Sequence, residues 1–497
     1  MGTRGRIQTP LAFFSGSDRY RWYVLGAVLI GAFMSALDAS IVNIALPAVT
    51  VTYHSRLGVV EWVSLSYLLT LTLALPALGR LADMFGRKPL YNLGFVVFTV
   101  GSFFCGAAPG IVSLVLWRVV QATGAALLQS NSLALITQVF PERERGRAIG
   151  FQGAVQAAAM SLGPYLGGML VKHLSCQAIF YVNVPVGIVG TLVAWLVLPA
   201  PADRKARISL DWGGGLTFSV ALASLMLVLT QLTARNWISH HTGLLLFLAA
   251  AAVTAFCLIE RQVAEPFIKL SLFRERNFTI GNISGMFSYM ALFAPLFMLP
   301  FYLEKVLKLD PEKAGTLLTP VPMALSAVAL FSGYLSDKFG VRVFTTGGMV
   351  LTAVSLYTLT TLHSNSSVFD VVWRLALLGV SLGFFTPPNN RSVMCAAPEE
   401  DLSVAGGLLN MMRSLGMMCG VAFAQFIYSH ELRELLDKAA AETEPITRQL
   451  RYHDMMLSFD KVYLAMILVA LVAMVLSLLK ERQELAGHKH LETPLEL

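Results

Sequence analysis

Two residues of opposite charge stand in stretches that are otherwise apolar. Asp38 interrupts LDASIVNIALP at 37–47, and Arg118 interrupts LVLWRVVQATGAA at 114–126. An ionisable group inside hydrocarbon is costly, so it marks a pathway, a cavity or a partner. A carboxyl in such a place can take up and release a proton. Loss of solvent favours its neutral form and a neighbouring cation favours its ionised form. Asp38 lies about 16 Å from the helix end near Val49, and Arg118 about 12 Å from the end at Gly110, at 1.5 Å per residue. The two therefore sit at similar depth. The expected chemistry is proton exchange at Asp38, sensed by Arg118; the competing reading is a static pair that joins two helices.

The elements that would hold these groups follow from composition. The chain has 497 residues, 56% of them hydrophobic and only 13% charged. Soluble domains are about one quarter charged, so this chain cannot hydrate a surface of its size. Its repeated apolar runs are long enough to cross about 30 Å of hydrocarbon as helices. Fourteen are expected, near 22–49, 58–78, 90–107, 110–139, 149–171, 179–200, 213–233, 243–260, 278–304, 313–334, 342–362, 368–390, 402–429 and 459–480. No cleavable signal precedes the first run, which reads as a retained helix. Basic residues such as Arg80, Arg87, Lys88, Arg143, Arg145 and Arg147 crowd the short loops on one side. That bias predicts a cytoplasmic location for both termini. It also explains the net charge of +7 without a nucleic-acid partner.

The chain resembles itself at an offset of about 254 residues. GRLADMFGR at 79–87 matches GYLSDKFGV at 333–341, and Trp117-Arg118 matches Trp373-Arg374. Pro141-Glu142 matches Pro398-Glu399, and Ser161-Leu162-Gly163 matches Ser414-Leu415-Gly416. The order is kept, so the second half is a parallel copy of the first. The expected fold is an all-α membrane protein of two six-helix bundles in parallel pseudo-two-fold repeat, plus two inserted linker helices. Its parts are a cytoplasmic tail at 1–21, a bundle at 22–200, an insertion at 201–277, a second bundle at 278–480 and a tail at 481–497. The polar stretch 430–458 is expected as an extracytoplasmic segment of one or two short amphipathic helices. Ala291 stands where the copy would carry Asp38, so the scaffold does not need the acid.

Other motifs complete the expectation. In GRLADMFGRK at 79–88, Gly79 and Gly86 permit tight turns, while Asp83, Arg87 and Lys88 form a charged loop able to latch the bundles. Gly163, Pro164, Gly167 and Gly168 combine a helix-bending proline with small residues that let helices approach closely. Asn43, Gln121 and Arg413 are candidate cavity residues. Glu61, before Trp62, reads as a residue of the outer rim. The five cysteines show no metal-type spacing and read as small packers.

Together these motifs resemble the major facilitator superfamily, in its fourteen-helix drug:proton antiporter branch. GRLADMFGRK is similar to the superfamily's loop motif, with Met84 in place of a basic residue. LDASIVNIALP is similar to the branch's helix 1 signature, LVLWRVVQATGAA to its proton-coupling helix 4 motif with Ala122 for glycine, and GPYLGG at 163–168 to its antiporter motif. FYVNVPVG at 180–187 is also typical. The resemblance implies efflux of small amphipathic or cationic organic molecules in exchange for protons, by alternating access, from a bacterial cytoplasmic membrane. It implies no cofactor, and it admits a periplasmic adaptor protein as a partner, for which 430–458 is the contact candidate. Export of one endogenous metabolite, lipid or siderophore is the alternative, and proton-coupled import a further one. An ATP-driven pump is disfavoured because the chain has no Gly-Lys dipeptide and hence no phosphate-binding Walker A loop. An enzyme is not expected, since the nine histidines form no catalytic cluster.

Overall fold

A computed structural model describes residues 19–199, 211–232, 240–263, 266, 268–398, 401–441 and 448–480. The described residues hold fourteen long helices. In the first half these are α1 Tyr20–Thr52, α2 Trp62–Phe85, α3 Arg87–Gly106, α4 Ile111–Val139, α5 Glu142–His173 and α6 Asn183–Val197. Then come α7 Trp212–Leu232 and α8 His240–Glu260. The second half has α9 Arg276–Phe301, α10 Pro320–Phe339, α11 Val341–Leu359, α12 Val368–Cys395, α13 Leu402–Ala441 and α14 Arg448–Leu478. Twelve of the spans are long and apolar enough to cross a membrane. The remaining two are α7, whose apolar stretch is Gly213–Val228, and α11, diluted by the threonines and glycines of VRVFTTGGMVLTAVSLYTL. Helices suit this solvent because each satisfies its own backbone hydrogen bonds.

The repeat is visible in how the helices pack. In the first bundle α1 packs on α5, α3 on α4 and α6, and α2 on α4. In the second, α9 packs on α13, α11 on α12 and α14, and α10 on α12. The bundles meet through two symmetry-related pairs, α2 with α13 and α10 with α5. Glycines allow the closest approaches. A Cβ at Gly163 or Gly167 would run into Ser40 and Ile44 of α1, and one at Gly416 or Gly420 into the carbonyls of Met286 and Met290 of α9.

Gly86 joins α2 to α3 at φ 98°, and Gly340 joins α10 to α11 at φ 91°. Few L side chains adopt that backbone. A Cβ at Gly340 meets nothing within 4 Å, so strain alone opposes it. Gly340→Ala is expected to destabilise the protein by about 1–3 kcal/mol, read by thermal unfolding of the purified protein.

Two arrangements differ from expectation or go beyond it. The described part of 430–458 is not a set of separate short helices: α13 runs on to Ala441 and α14 starts at Arg448. At 40 residues, α13 is about 60 Å long, twice the thickness of the hydrocarbon. Extending a formed helix keeps its hydrogen-bond ladder, whereas a new short one must be nucleated. Lys461 and Glu431 pair across the bases of these arms at 3.8 Å. The inserted α7 and α8 pack on each other, and α7 touches both α2 and α13. The insertion therefore lies along one of the two seams between the bundles.

Candidate functional site

Asp38 and Arg118 meet. Arg118 Nη1 stands 2.7 Å from Asp38 Oδ2, and both side chains are essentially without solvent exposure. Fold geometry brings them together: α1 and α4 run side by side in the first bundle, and the two residues sit at matching depth. Burying both charges is tolerable only when each is paired and hydrogen-bonded, and here each is. Gln121 Nε2 donates to Asp38 Oδ1 at 2.9 Å, and Asn183 Nδ2 donates to the same oxygen at 3.1 Å. Arg118 Nε donates to the Val63 carbonyl at 3.0 Å, and its Nη1 also donates to Gln121 Oε1 at 2.7 Å. The guanidinium lies over the Tyr67 ring at 4.2 Å, a cation–π contact strengthened by desolvation. Ser102 accepts from Gln121 Nε2 at 2.7 Å, which fixes the amide that reads the carboxylate.

Gln121 is thus part of the centre. Asn43, five residues along α1, is half-buried and stands 3.5 Å from Ser64 Oγ instead. Asn183, Tyr67, Ser102 and the Val63 carbonyl belong to the centre but were not singled out from the sequence. Asn183 lies inside FYVNVPVG, and an amide within an apolar run is a signal of the same kind as Asp38. Nothing in the sequence marks Ser102. Glu61, at the start of α2, is fully buried, and neither carboxyl oxygen has a hydrogen-bond partner among the described residues. That burial is a consequence of tertiary structure that its place before Trp62 did not show.

The charged loop works largely within its own bundle. Arg87 donates to the Ala134 carbonyl at 3.0 Å and Lys88 to the Leu198 carbonyl at 2.7 Å. Gly79 faces Ser130. The side chain of Asp83 lies outside the described residues. Arg80, in the same motif, reaches the Pro266 carbonyl in the segment leading to the second bundle.

Toward the end of α5, Gly168 faces the second bundle, whereas Gly163 and Gly167 face α1. A Cβ at Gly168 would collide with the Pro311 carbonyl, and one at Gly315 with the Pro164 carbonyl. Gly315 belongs to the short helix Pro311–Leu318 that precedes α10. Lys172 pairs with Glu312 at 2.8 Å beside this crossing, exposed enough for solvent to screen it. Gly168→Val would cost about 1–3 kcal/mol in this closed arrangement, a five- to 150-fold shift of a two-state equilibrium. The expected result is a folded protein with depressed transport and greater reactivity of a cysteine placed at the buried Ala314.

Arg413 lies in the second bundle, its guanidinium 5.0 Å from the Tyr289 ring. It borders a recess lined by Asn282, Tyr289, Thr386, Asn389 and Asn390, with water-sized room of about 10 Å³. A far larger cleft of about 900 Å³ runs between α11, α12 and α14. Its wall carries exposed Val343, Val350 and Val354, the kind of surface that lipid covers, and it is remote from Asp38. Among the described residues no group of His, Cys, Asp and Glu could hold a metal.

The profile of the Major Facilitator Superfamily matches residues 28–420 and 281–494, and its second match begins inside α9, in the repeated half. The riboflavin transporter RibZ of Clostridioides difficile (strain 630) is 34% identical over 414 residues, covering 83% of this chain and 90% of that protein. The tetracenomycin C resistance and export protein of Streptomyces glaucescens is 32% identical over 440 residues, covering 88% and 81%. The multidrug transporter protein MdtP of Bacillus subtilis (strain 168) is 27% identical over 446 residues, covering 88% and 82%. Among solved structures, a bacterial homologue of the human lysosomal transporter Spinster superposes with a TM-score of 0.67 at 16% identity, over 93% of this chain and 97% of that one, which speaks to the fold. Two packed six-helix copies, a buried acid–arginine pair between α1 and α4, and these matches lead to one assignment: the chain belongs to the Major Facilitator Superfamily, among its multidrug-efflux-type members.

Proposed function

We propose that the protein is a proton-coupled exporter of small amphipathic organic molecules that works by alternating access. The observation that carries this reading is the Asp38–Arg118 pair at 2.7 Å, buried with amides on the carboxylate. In the arrangement described, the pair is neutral as a whole. A proton arriving at Asp38 removes the carboxylate and leaves the buried Arg118 cation without its partner. That state is costly, so it favours a conformation in which α1 and α4 part or water reaches the site. Binding of the proton thus shifts the balance between two arrangements of the bundles. Arg118 retains the Val63 carbonyl, Gln121 and the Tyr67 face, which keep it in place while the carboxylate is neutral.

In this reading Asp38 and Arg118 couple the proton, and Gln121 and Asn183 orient the carboxylate. Gly79, Asp83, Gly86, Arg87 and Lys88 shape the loop end. Gly163, Pro164, Gly167 and Gly168 form the surface on which α5 moves against α1 and the second bundle. Both termini face the cytoplasm, and the arms of α13 and α14 project outside, where a periplasmic adaptor would find them. A second reading, export of a specific metabolite, is favoured by the relative named a riboflavin transporter. Everted vesicles with an acid interior, tested against riboflavin and a panel of lipophilic dyes, decide the matter. Proton-gradient-driven accumulation of several dyes supports the broad exporter, and accumulation of riboflavin alone supports the specific one. Movement of neither, with the protein present and folded, sinks both.

A further inference from the structure

The second bundle holds a polar cluster of a different kind from the Asp38 centre. Asn282 is fully buried; its Nδ2 donates to the Phe278 carbonyl at 2.9 Å, while its Oδ1 has no partner among the described residues. Arg413 Nε and Thr386 Oγ1 are likewise buried without partners, and all three residues line the same recess. Behind it, Lys480 is 2% exposed. Its Nζ donates to Asn389 Oδ1 at 2.6 Å, and Asn389 Nδ2 donates to the Gly281 carbonyl at 3.0 Å. No carboxylate lines the recess, and none pairs with Lys480 or Arg413 among the described residues. Of the three unpartnered atoms, Arg413 Nε and the Thr386 hydroxyl can donate, and among the described residues no carboxylate neutralises Arg413 or Lys480.

We propose that this recess receives the anionic or strongly hydrogen-bond-accepting group of a planar organic substrate, with Arg413 as its principal donor. This rests on the reading that the chain moves small organic molecules, and it sharpens the substrate class away from cations. Buried donors without partners are expensive, and an incoming acceptor satisfies Arg413 Nε and the Thr386 hydroxyl together. The room of about 10 Å³ holds no more than one water-sized group, so a single acceptor oxygen enters the recess and the remainder of the substrate stays outside it. The rest of the substrate lies against Tyr289, Met286 and Met412, which border the same recess. Flat aromatic and thioether surfaces suit an aromatic body. Arg413 stacked on Tyr289 presents a planar fork, the geometry that matches a carboxylate or sulfonate.

The test uses the full chain in lipid nanodiscs, with two probes that share one aromatic body: 1-pyrenesulfonate and (1-pyrenylmethyl)trimethylammonium. Binding is read by quenching of tryptophan fluorescence, without a proton gradient. The sulfonate is expected to bind more tightly than the ammonium probe. Arg413→Gln is expected to weaken sulfonate binding about tenfold or more, a change of about 1.4 kcal/mol. Asn282→Asp, which places a carboxylate in the recess, is expected to reverse the preference between the probes. Should Arg413→Gln fail to fold, Asn282→Asp decides alone. Equal binding of the two probes, no binding of either, or sulfonate binding indifferent to both variants overturns the proposal. Because no gradient is used, failure here leaves the exporter reading standing, and failure of gradient-driven transport leaves this result intact.

Discussion

Asp38→Asn is expected to reduce proton-driven transport to the background of empty vesicles while exchange of substrate across a membrane without a gradient continues. Asparagine has nearly the shape of aspartate. Its carbonyl oxygen can still accept from Gln121 and Asn183, which now donate to Asp38 Oδ1. It cannot take up a proton, so the neutral and ionised states that drive the cycle collapse into one. Arg118 then sits permanently without its carboxylate, as in the protonated state of the native protein. The variant is expected to bind substrate and to favour one conformation. Reconstituted vesicles with an imposed pH gradient measure the coupled step, and counterflow of labelled substrate measures exchange. Undiminished gradient-driven accumulation would remove Asp38 from the coupling role, and Glu61, the other fully buried acid among the described residues of this bundle, would be tested next.

Arg118→Ala is expected to have the larger effect on stability. It leaves the Asp38 carboxylate in a dry site with only two amide donors, and removing one partner of a buried pair costs about 3–5 kcal/mol. It also frees the Val63 carbonyl and the Tyr67 face. Thermal unfolding in detergent reads the loss. The pair Asp38→Asn with Arg118→Gln removes both charges, and its destabilisation is expected to be smaller than the sum of the two single changes. Recovery of stability without recovery of proton coupling would separate the structural role of the pair from its functional one. A double variant as unstable as the sum would show that the two residues act through separate contacts.

The fourteen helices, the internal repeat and the Asp38–Arg118 pair were all legible in the sequence. Helices in lipid announce themselves by length and apolarity, because the solvent leaves few alternatives for a polar backbone. The repeat was legible because charged and glycine positions recur in order, and Gly86 and Gly340 then take the same left-handed backbone. Asn183 and Ser102 are uncharged, and polar uncharged residues occur throughout these helices. Which of them face Asp38 depends on helix rotation and crossing, which a hydropathy pattern does not specify. The burial of Glu61 was missed for the same reason, since a position at a helix start does not say what closes over it.

By itself the sequence determined a membrane chain of two related halves, of which only the first carries the acid in its first helix. Only the tertiary structure decided that the acid is held by two amides as well as an arginine, that α7 lies along the α2–α13 seam, and that Asn282, Thr386 and Arg413 share a recess empty of carboxylates. The physical reason is common to all three. Spacing along one helix fixes depth and face, but a contact between helices depends on how closely their backbones approach, and that is set by pairs such as Gly168 with Pro311 that are far apart in the chain.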